Sequence, residues 1–310
     1  MERPTARVVI FGGTHGNEMT GIGLVNHWGR HPDEVRRKGL EVATILSNPQ
    51  AAARVLRYVE HDLNRCFLPG DLASTRGGYE FGRAREIVSA CGGEDQLARA
   101  VLLDLHTTTS NMGPTIILTT LSAFNLRLAY DLVCRFPALK VIANPLARAE
   151  SPFLNGLSPY GFCIEVGPVP QGTIDPRIVS QTREIVGAVL DYCAAHLTAQ
   201  DSAAAGGASV AHYGPEQQLD VYDYAEVVDY PRNADGTLAA TLHPERYGRD
   251  FVPVERGSPM FLTWSGDIVG RKEEGLYWPI FVGESAYVEK QTAMVLTKRR
   301  RVPLSGTPTR

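Results

Sequence analysis

The sequence of 310 residues lacks several features that indicate particular classes of protein. It has no apolar run near the ~20 residues that a membrane-spanning helix requires. Its N-terminus lacks the apolar core and cleavage site of a secretory signal peptide. With 31 Lys and Arg against 34 Asp and Glu, it also lacks the basic excess of a nucleic-acid-binding protein. We therefore expect a cytoplasmic protein that binds neither a membrane nor nucleic acid.

Cysteine is also scarce. The five cysteines are odd in number and widely scattered, and no two of them form a CxxC pair. This pattern excludes a disulfide framework and a cysteine-rich zinc site, and it predicts reduced thiols that are mostly buried.

Strand and helix patterns alternate through the first two thirds of the chain. Short apolar strands are predicted at 7–11, 42–46, 101–105, 115–118, 140–143 and 162–166, with helices at 20–28, 79–91, 124–136 and 178–193. Such alternation predicts an α/β fold whose sheet is at least partly parallel, with helices on both faces. In these sheets ligands bind at the carboxyl ends of the strands.

The last third of the chain has a different pattern. A stretch of small residues at 202–209 predicts a linker between a first domain at 1–201 and a second at 210–302. Short strands at 222–228, 251–254, 259–264, 276–281 and 293–297 predict that the second domain is small and β-rich. Residues 303–310 are predicted to be a tail, and the basic run at 298–301 is interpreted as a solubilising end.

Two histidines directly follow predicted strands. His15 and Glu18 are three positions apart after the first strand, so both side chains can turn toward one point. His106 follows the third strand, and Asp104 shares its face because side chains alternate along a strand. Imidazole and carboxylate groups suit zinc, and catalytic zinc sites commonly have three protein ligands. The alternative is that each histidine is a hydrogen-bonded structural residue.

Two further groups of polar residues have both a functional and a structural interpretation. Arg57, Asn64 and Arg65 lie within nine residues and could hold a carboxylate, although the pattern by itself favours a solvated loop with local ion pairs. Glu165 ends the apolar strand at 162–166. Burial raises the pKa of a carboxyl group and so suits it to proton transfer near neutral pH.

Several blocks of the sequence occur in the order found in one known enzyme family. They extend from Val8 to Thr297 and include Gly12-Gly13-Thr14-His15-Gly16-Asn17-Glu18, Arg57 with Asp62-Leu63-Asn64-Arg65, Asp104-Leu105-His106, Ile164-Glu165-Val166-Gly167-Pro168 and Glu284-Ser285-Ala286-Tyr287. With these motifs the chain resembles the aspartoacylase family, a branch of the zinc carboxypeptidase-like amidohydrolases. The resemblance implies an α/β zinc-carboxypeptidase-like mixed sheet with helices on both faces, and a smaller C-terminal β-rich domain that caps the active site.

The resemblance also implies catalytic roles. It implies that His15, Glu18 and His106 hold one zinc ion per chain. It implies that Glu165 is the general base, which activates the attacking water and then passes a proton to the leaving amine. It implies that Arg57 polarises the scissile carbonyl and stabilises the developing oxyanion.

Substrate contacts are implied in the same way. Asn64 and Arg65 would hold the α-carboxylate, and Tyr287 of the β-rich domain would reach across to the substrate. Members specific for N-acetylaspartate carry an arginine ten residues before the catalytic glutamate and a lysine after the Tyr-x-Glu-Lys segment. Here these positions are Asn155 and Gln291. Arg148 is a candidate replacement for the missing arginine.

The expected activity is therefore hydrolysis of the amide bond of a small N-acyl-L-amino acid with an aromatic or other non-acidic side chain. The same family includes an aminoacylase for N-acyl aromatic amino acids. Deacetylation of N-acetylaspartate, a zinc carboxypeptidase activity on short peptides, and a non-catalytic metal-binding or ligand-binding homologue are the alternatives. Cobalt or manganese could replace zinc at such a site. Relatives are often homo-oligomers, so a homo-oligomer is a further expectation.

Overall fold

The structure is a computed structural model, and it describes residues 6–203 and 216–304. The strands are β1 (Ala6–Gly12), β2 (Leu40–Leu46), β3 (Val101–Thr107), β4 (Gly113–Leu118), β5 (Lys140–Ala143), β6 (Phe162–Gly167), β7 (Gln218–Val228), β8 (Ala240–Leu242), β9 (Pro259–Thr263), β10 (Ile268–Gly270), β11 (Trp278–Ile280) and β12 (Met294–Pro303). The helices are α1 (Met19–Arg30), α2 (Pro49–Arg54), α3 (Pro69–Ala73), α4 (Tyr79–Ala90), α5 (Glu94–Leu97), α6 (Ala123–Arg135) and α7 (Pro176–Ala203). Four 3₁₀ turns lie at Pro32–Glu34, Leu63–Arg65, Leu154–Leu157 and Ser285–Tyr287.

The six strands predicted in the first two thirds are all present and lie in one sheet. The strand order of this nine-stranded sheet is β11-β12-β7-β5-β4-β6-β3-β1-β2. Strands β2, β1, β3 and β6 are parallel, whereas β4 runs antiparallel to β6. The prediction of a mixed α/β sheet is therefore confirmed. The carboxyl ends of β1, β3 and β6 meet at one edge of the sheet, where the predicted site residues follow them.

Helices cover both faces of this sheet. On β1, Val8 and Ile10 pack against the side of the sheet that α1, α6 and α7 cover, while Val9 and Phe11 pack on the opposite side with α4. This alternation follows from the pleat of the strand, which turns successive side chains to opposite faces. All four side chains are fully buried, and each such burial contributes about 1.5–3 kcal/mol to stability. The core thus fixes the position of β1 and of the loop that follows it.

Helix α7 is the longest helix of the described chain, with 28 residues. Apolar side chains along one of its faces, including Ile185, Val189 and Cys193, are buried against the sheet. Over residues 6–203 and 216–304, no helix combines the length and the apolar character that crossing a bilayer would require.

The C-terminal part contributes to two sheets. Strands β7, β12 and β11 extend the central sheet, while β8, β9 and β10 form a separate three-stranded antiparallel sheet. The predicted strand at 251–254 is wrong. Phe251 has a left-handed backbone with φ of 59°, which interrupts an extended conformation, and only Val254 forms a bridge, to Tyr277.

The basic run is part of the sheet rather than of a solubilising tail, so that interpretation is wrong. It lies within β12, and its charges face acidic residues of the neighbouring strand β7. Arg300 Nε lies 2.5 Å from Asp223 Oδ2, and Arg299 Nη2 lies 2.6 Å from Asp220 Oδ2. The predicted linker at 202–209 lies outside the described residues except for its first two, which end α7. The predicted tail lies outside them except for Pro303, which ends β12, and Leu304, which is buried.

Asp250 is a buried acid that makes stability depend on pH. It is 8 % exposed, its Oδ1 accepts a hydrogen bond from the Val282 amide, and its Oδ2 has no partner among the described residues. Burial raises the pKa of Asp250 from 3.8 to about 7, against the lowering effect of the Val282 N–H. The folded protein therefore binds a proton that the unfolded chain has released, and this contribution to stability is lost as pH rises through the folded pKa.

We expect Asp250→Asn to remove this dependence, because an amide does not ionise. Between pH 4 and pH 8 the stability of the variant relative to wild type should rise by about 2–4 kcal/mol, since one pKa unit corresponds to about 1.4 kcal/mol. Urea unfolding of both proteins at several pH values measures this difference. The control is Asp235→Asn, at an exposed carboxylate whose pKa is lowered by Thr237. An equal slope in the control would contradict the assignment to Asp250.

Candidate active site

The loop after β1 brings His15 and Glu18 to one point. The chain turns sharply between them, and the Glu18 amide donates to the His15 carbonyl oxygen at 3.2 Å. Glu18 then directly precedes α1. Gly16 allows this turn to pack closely, because a Cβ at that position would lie 2.2 Å from the Ala51 carbonyl carbon. A glycine is therefore required between the two side chains for a steric reason.

His106 joins the same cluster from the end of β3, the strand beside β1. His106 Nδ1 lies 2.9 Å from Glu18 Oε2 and 3.2 Å from His15 Nδ1, and His15 Nδ1 lies 2.6 Å from Glu18 Oε1. One atom from each of the three side chains lies within 4.8 Å of the other two, and all three residues are buried. The structure thus brings together the three side chains that the sequence predicted as metal ligands.

The outer nitrogen of each imidazole faces a carboxylate. His15 Nε2 lies 3.1 Å from Asp62 Oδ1, and His106 Nε2 lies 2.7 Å from Asp104 Oδ2. A carboxylate at Nε2 keeps the proton there and leaves Nδ1 as a lone-pair donor. Because both Nδ1 atoms point toward Glu18, the tautomers that the carboxylates favour present two nitrogens and one carboxylate to a shared centre.

The charges of the cluster fit a divalent cation. Burial alone would raise the pKa of Glu18, but His15 and His106 outweigh it and lower that pKa. Burial would lower the pKa of His106, but Asp104 and Glu18 raise it. Likewise, burial would raise the pKa of Asp62, but His15 and Arg57 hold it well below its usual range. Three carboxylates thus surround two imidazoles, and a divalent cation at the shared centre would balance part of their negative charge.

Glu165 lies beside this cluster on β6. The parallel register pairs it with His106, and the antiparallel register with β4 pairs it with Thr115. Burial raises the pKa of Glu165 to about 8, against the lowering effect of His106. The carboxylate that the sequence places in an apolar strand therefore lies next to the candidate metal ligands.

Arg57, Asn64 and Arg65, the polar group that the sequence singled out, also line the site. Arg57 Nη1 lies 3.6 Å from Glu18 Oε1, and the Arg57 side chain is 14 % exposed. Asn64 is fixed because its Oδ1 accepts a hydrogen bond from the Leu154 amide at 2.9 Å. The Arg65 guanidinium lies 4.8 Å from the centre of the Phe153 ring and is exposed at the mouth of the site. These residues form more than a solvated loop, because three of their side chains converge on one cavity.

The C-terminal part contributes Tyr287 through a short 3₁₀ turn. Glu284 precedes this turn, and its Oε1 accepts a hydrogen bond from the Ala286 amide at 3.0 Å. Its Oε2 accepts hydrogen bonds from the hydroxyl of Thr108 and from the amide of Thr109, directly after β3. One buried carboxylate therefore ties the turn that carries Tyr287 to the strand that carries His106. The Glu284-Ser285-Ala286-Tyr287 motif drew attention to Glu284, but the sequence did not reveal that Glu284 bonds to Thr108 and Thr109.

All eight predicted site residues line a single cavity of about 150 Å³. The sequence did not single out several further lining residues. They come from β4, β6 and β7 and from the segments after β4, β5 and β11 and before the 3₁₀ turn at Leu154–Leu157: Ile117, Thr119, Asn144, Phe153, Cys163, Tyr224 and Phe281. Asn155 also lines the cavity, and its Nδ2 donates to Thr119 Oγ1 at 3.3 Å.

Arg148 points away from the cavity. Its guanidinium donates to the Phe67 carbonyl oxygen at 2.9 Å and lies 3.1 Å from Glu94 Oε2. Gln291 does not line the cavity either. The structure therefore offers no cation from Arg148 at the position of Asn155.

Fold and site together define a class, an enzyme with a mixed α/β fold and a candidate metal centre at the carboxyl edge of its sheet. The family follows from a comparison of the sequence with models of known protein families. The succinylglutamate desuccinylase/aspartoacylase catalytic domain matches residues 4–193, and the AstE/AspA barrel-sandwich hybrid domain matches residues 217–299. The chain belongs to the succinylglutamate desuccinylase/aspartoacylase family.

Individual relatives match over nearly the whole chain. A probable aspartoacylase of Trichodesmium erythraeum is 38 % identical, over 96 % of this chain and 98 % of the relative. The N-acyl-aromatic-L-amino acid amidohydrolase (carboxylate-forming) of Homo sapiens is 36 % identical, over 96 % of this chain and 91 % of that protein. The crystal structure of murine aminoacylase 3 superimposes with a TM-score of 0.86 at 33 % identity, with both chains covered completely.

We expect Asp62 to set the affinity of the cluster for a divalent metal, because it orients His15. Asp62→Ala should weaken Zn²⁺ binding by about 10–100-fold, the usual effect of removing a partner of a ligating histidine. Asp62→Asn should weaken it less, because an amide oxygen still accepts the hydrogen bond from Nε2. Competition with a chromophoric chelator measures both affinities. Wild-type affinity in Asp62→Ala would show that His15 is oriented without this carboxylate.

Proposed function

We propose that the chain hydrolyses the amide bond of a small N-acyl-L-amino acid and releases a carboxylate and the free amino acid. The observation that carries this proposal is the position of Glu165. It lies beside the buried cluster of His15, Glu18 and His106, in the cavity that Arg65 also lines. The names of the relatives, which describe aspartoacylases and N-acyl-aromatic-L-amino acid amidohydrolases, support the same substrate class.

Zinc is the cofactor that we propose, held by His15, Glu18 and His106. Two neutral imidazoles and a carboxylate are a common catalytic zinc set, and the carboxylates behind the histidines complete it. When bound, zinc acts as a Lewis acid and makes water more acidic near neutral pH.

The chain's own residues provide the proton transfer and the charge stabilisation. Glu165 accepts a proton from the attacking water as the carbon–oxygen bond forms, and it delivers that proton to the amine nitrogen as the carbon–nitrogen bond breaks. Arg57 stabilises the negative charge that develops on the carbonyl oxygen. No proton is gained or lost over the two steps, so Glu165 returns to its starting state.

Substrate orientation depends on a carboxylate contact. Arg65 presents a planar guanidinium at the mouth of the cavity, where it can hold the α-carboxylate in a bidentate manner. Asn64 can add a hydrogen bond, and Tyr287 narrows the opposite side. This arrangement holds the amino acid part of the substrate near the mouth of the cavity and directs the nitrogen of the scissile amide toward Glu165.

We propose that the preferred side chain is not acidic. Asn155 lines the cavity at the position where members specific for N-acetylaspartate carry an arginine, and Arg148 is engaged elsewhere. Burying a second substrate carboxylate without a partner would be costly. Aromatic or other neutral side chains are therefore favoured, with N-acetylaspartate as the second candidate because close relatives bear the name aspartoacylase.

The direct test is hydrolysis of a panel of N-acetyl and N-formyl derivatives of Asp, Glu, Tyr, Phe and Met. We expect chelator-sensitive release of the free amino acid, with the neutral side chains preferred. Glu165→Ala should lower kcat by about 10²–10⁴-fold, as loss of a general base does, while the zinc content stays at one per chain. Amino acid release and metal analysis on the same protein preparation measure both.

Three outcomes would contradict this proposal. Loss of zinc together with activity in Glu165→Ala would make Glu165 a ligand rather than the base. Release of C-terminal residues from short peptides, without hydrolysis of N-acyl amino acids, would favour a carboxypeptidase. Zinc binding with no turnover of any substrate would favour a non-catalytic binding protein.

Asn155 tests the side-chain preference. Asn155→Arg should raise kcat/KM for N-acetylaspartate relative to N-acetyltyrosine by about 10–100-fold, because a hydrogen bond to a charged group contributes roughly 1.5–3 kcal/mol. The matched control is Asn155→Met, which adds bulk without charge and should leave the ratio near its wild-type value. An equal change in both variants would attribute the preference to size rather than to charge.

A further inference from the structure

One wall of the cavity is apolar and lies next to Glu165. Cys163 precedes Glu165 by two positions on β6, so both side chains project from the same face. The antiparallel register of β4 and β6 places Ile117 directly opposite Cys163. Both residues line the cavity, and Cys163 Sγ lies 4.0 Å from Glu165 Oε2.

Phe281 continues this wall from the C-terminal part. It is 3 % exposed, and its ring centre lies 5.1 Å from that of Tyr287. Ile117, Tyr224 and Tyr287 pack against the cluster that contains Phe281. Phe281 has a left-handed backbone with φ of 52°, a conformation that bulky residues rarely adopt. Such strain persists only where the surrounding structure fixes the residue, so this part of the wall has little freedom to move.

The orientation of the scissile amide determines which part of the substrate faces this wall. The carbonyl carbon carries two substituents besides its oxygen, the amine of the amino acid and the acyl chain. If Arg65 holds the α-carboxylate at the mouth, the amine lies on that side. The acyl chain then extends the other way, past Glu165 and toward Cys163.

We propose that Cys163 is a specificity-determining residue that limits the length of the acyl group, with Ile117 and Phe281 closing the rest of the wall. This inference rests on the proposed function. It restricts the substrates to short acyl groups such as formyl and acetyl. The thiol suits this role because burial raises its pKa well above the usual range, which keeps the sulfur neutral and weakly polar.

The test is a series of N-formyl, N-acetyl, N-propionyl and N-butyryl derivatives of one amino acid that the wild-type enzyme accepts. Cys163→Ala removes one heavy atom and should raise the propionyl-to-acetyl ratio of kcat/KM by about 10-fold or more, as one methylene does in an apolar pocket. Cys163→Val should shift the preference in the opposite direction, from acetyl toward formyl. Opposite shifts in the two variants would support the proposal.

Two controls separate length selection from general disturbance. Cys163→Ser keeps the size of the side chain and should keep the wild-type order of acyl groups. Cys193→Ala removes a thiol that is fully buried in the core with α7 and should leave the whole series unchanged. Zinc content is measured for every variant, so that ratios are compared only between loaded enzymes.

The outcomes distinguish this inference from the proposed function. If wild-type enzyme hydrolyses N-acyl amino acids but the acyl ratios are the same in Cys163→Ala, Cys163→Val and wild type, the inference is overturned and the proposed function stands. A shift that follows the size of the amino acid side chain, with the acyl series unchanged, also overturns it. If no N-acyl amino acid is hydrolysed by zinc-loaded wild type, the proposed function itself fails.

Discussion

The group of carboxylates that surrounds two imidazoles is the constraint on which the rest of the candidate active site depends. Glu18, Asp62 and Asp104 all lie within hydrogen-bonding distance of His15 or His106. Buried charges are tolerated only when they are paired. Here the carboxylates are paired with the two imidazoles through these hydrogen bonds. A divalent cation at the proposed metal site would be balanced by the same carboxylates, so the contacts that orient His15 and His106 would also favour metal binding.

Glu284, a further buried carboxylate, makes the C-terminal part a component of the same site. Glu284 accepts hydrogen bonds from both Thr108 and Thr109, just beyond His106, and it also caps the turn that ends at Tyr287. The central sheet continues through β7 and β12, so this contact lies on a rigid base. The turn that carries Tyr287 is therefore held in a fixed position relative to His106.

The strands of the first part could be predicted because their signals are local, and His15, His106 and Glu165 were singled out because they lie at or just after such strands. Arg57, Asn64, Arg65 and Tyr287 were assigned through the resemblance to a known family. Cys163, Ile117 and Phe281 carry no such signal, since each resembles an ordinary core residue in sequence. They become cavity residues only through strand register and long-range packing. The join between β7 and β5 was missed for the same reason, as was the pairing of Arg300 with Asp223, which sequence separation conceals.

We propose that substrate selectivity has two causes. The cavity has no cation for a second substrate carboxylate, and it ends at the wall that contains Cys163. Arg65 can pair with one substrate carboxylate, but Asn155 offers no charge for a second, and the guanidinium of Arg148 already binds Phe67 and Glu94. On the other side of Glu165, Cys163 lines the cavity where we propose that the acyl group lies. In the proposed function, charge therefore limits the choice of amino acid, while volume limits the length of the acyl group. These limits act on opposite sides of the scissile bond, so substitutions at Asn155 and Cys163 should change substrate preference independently.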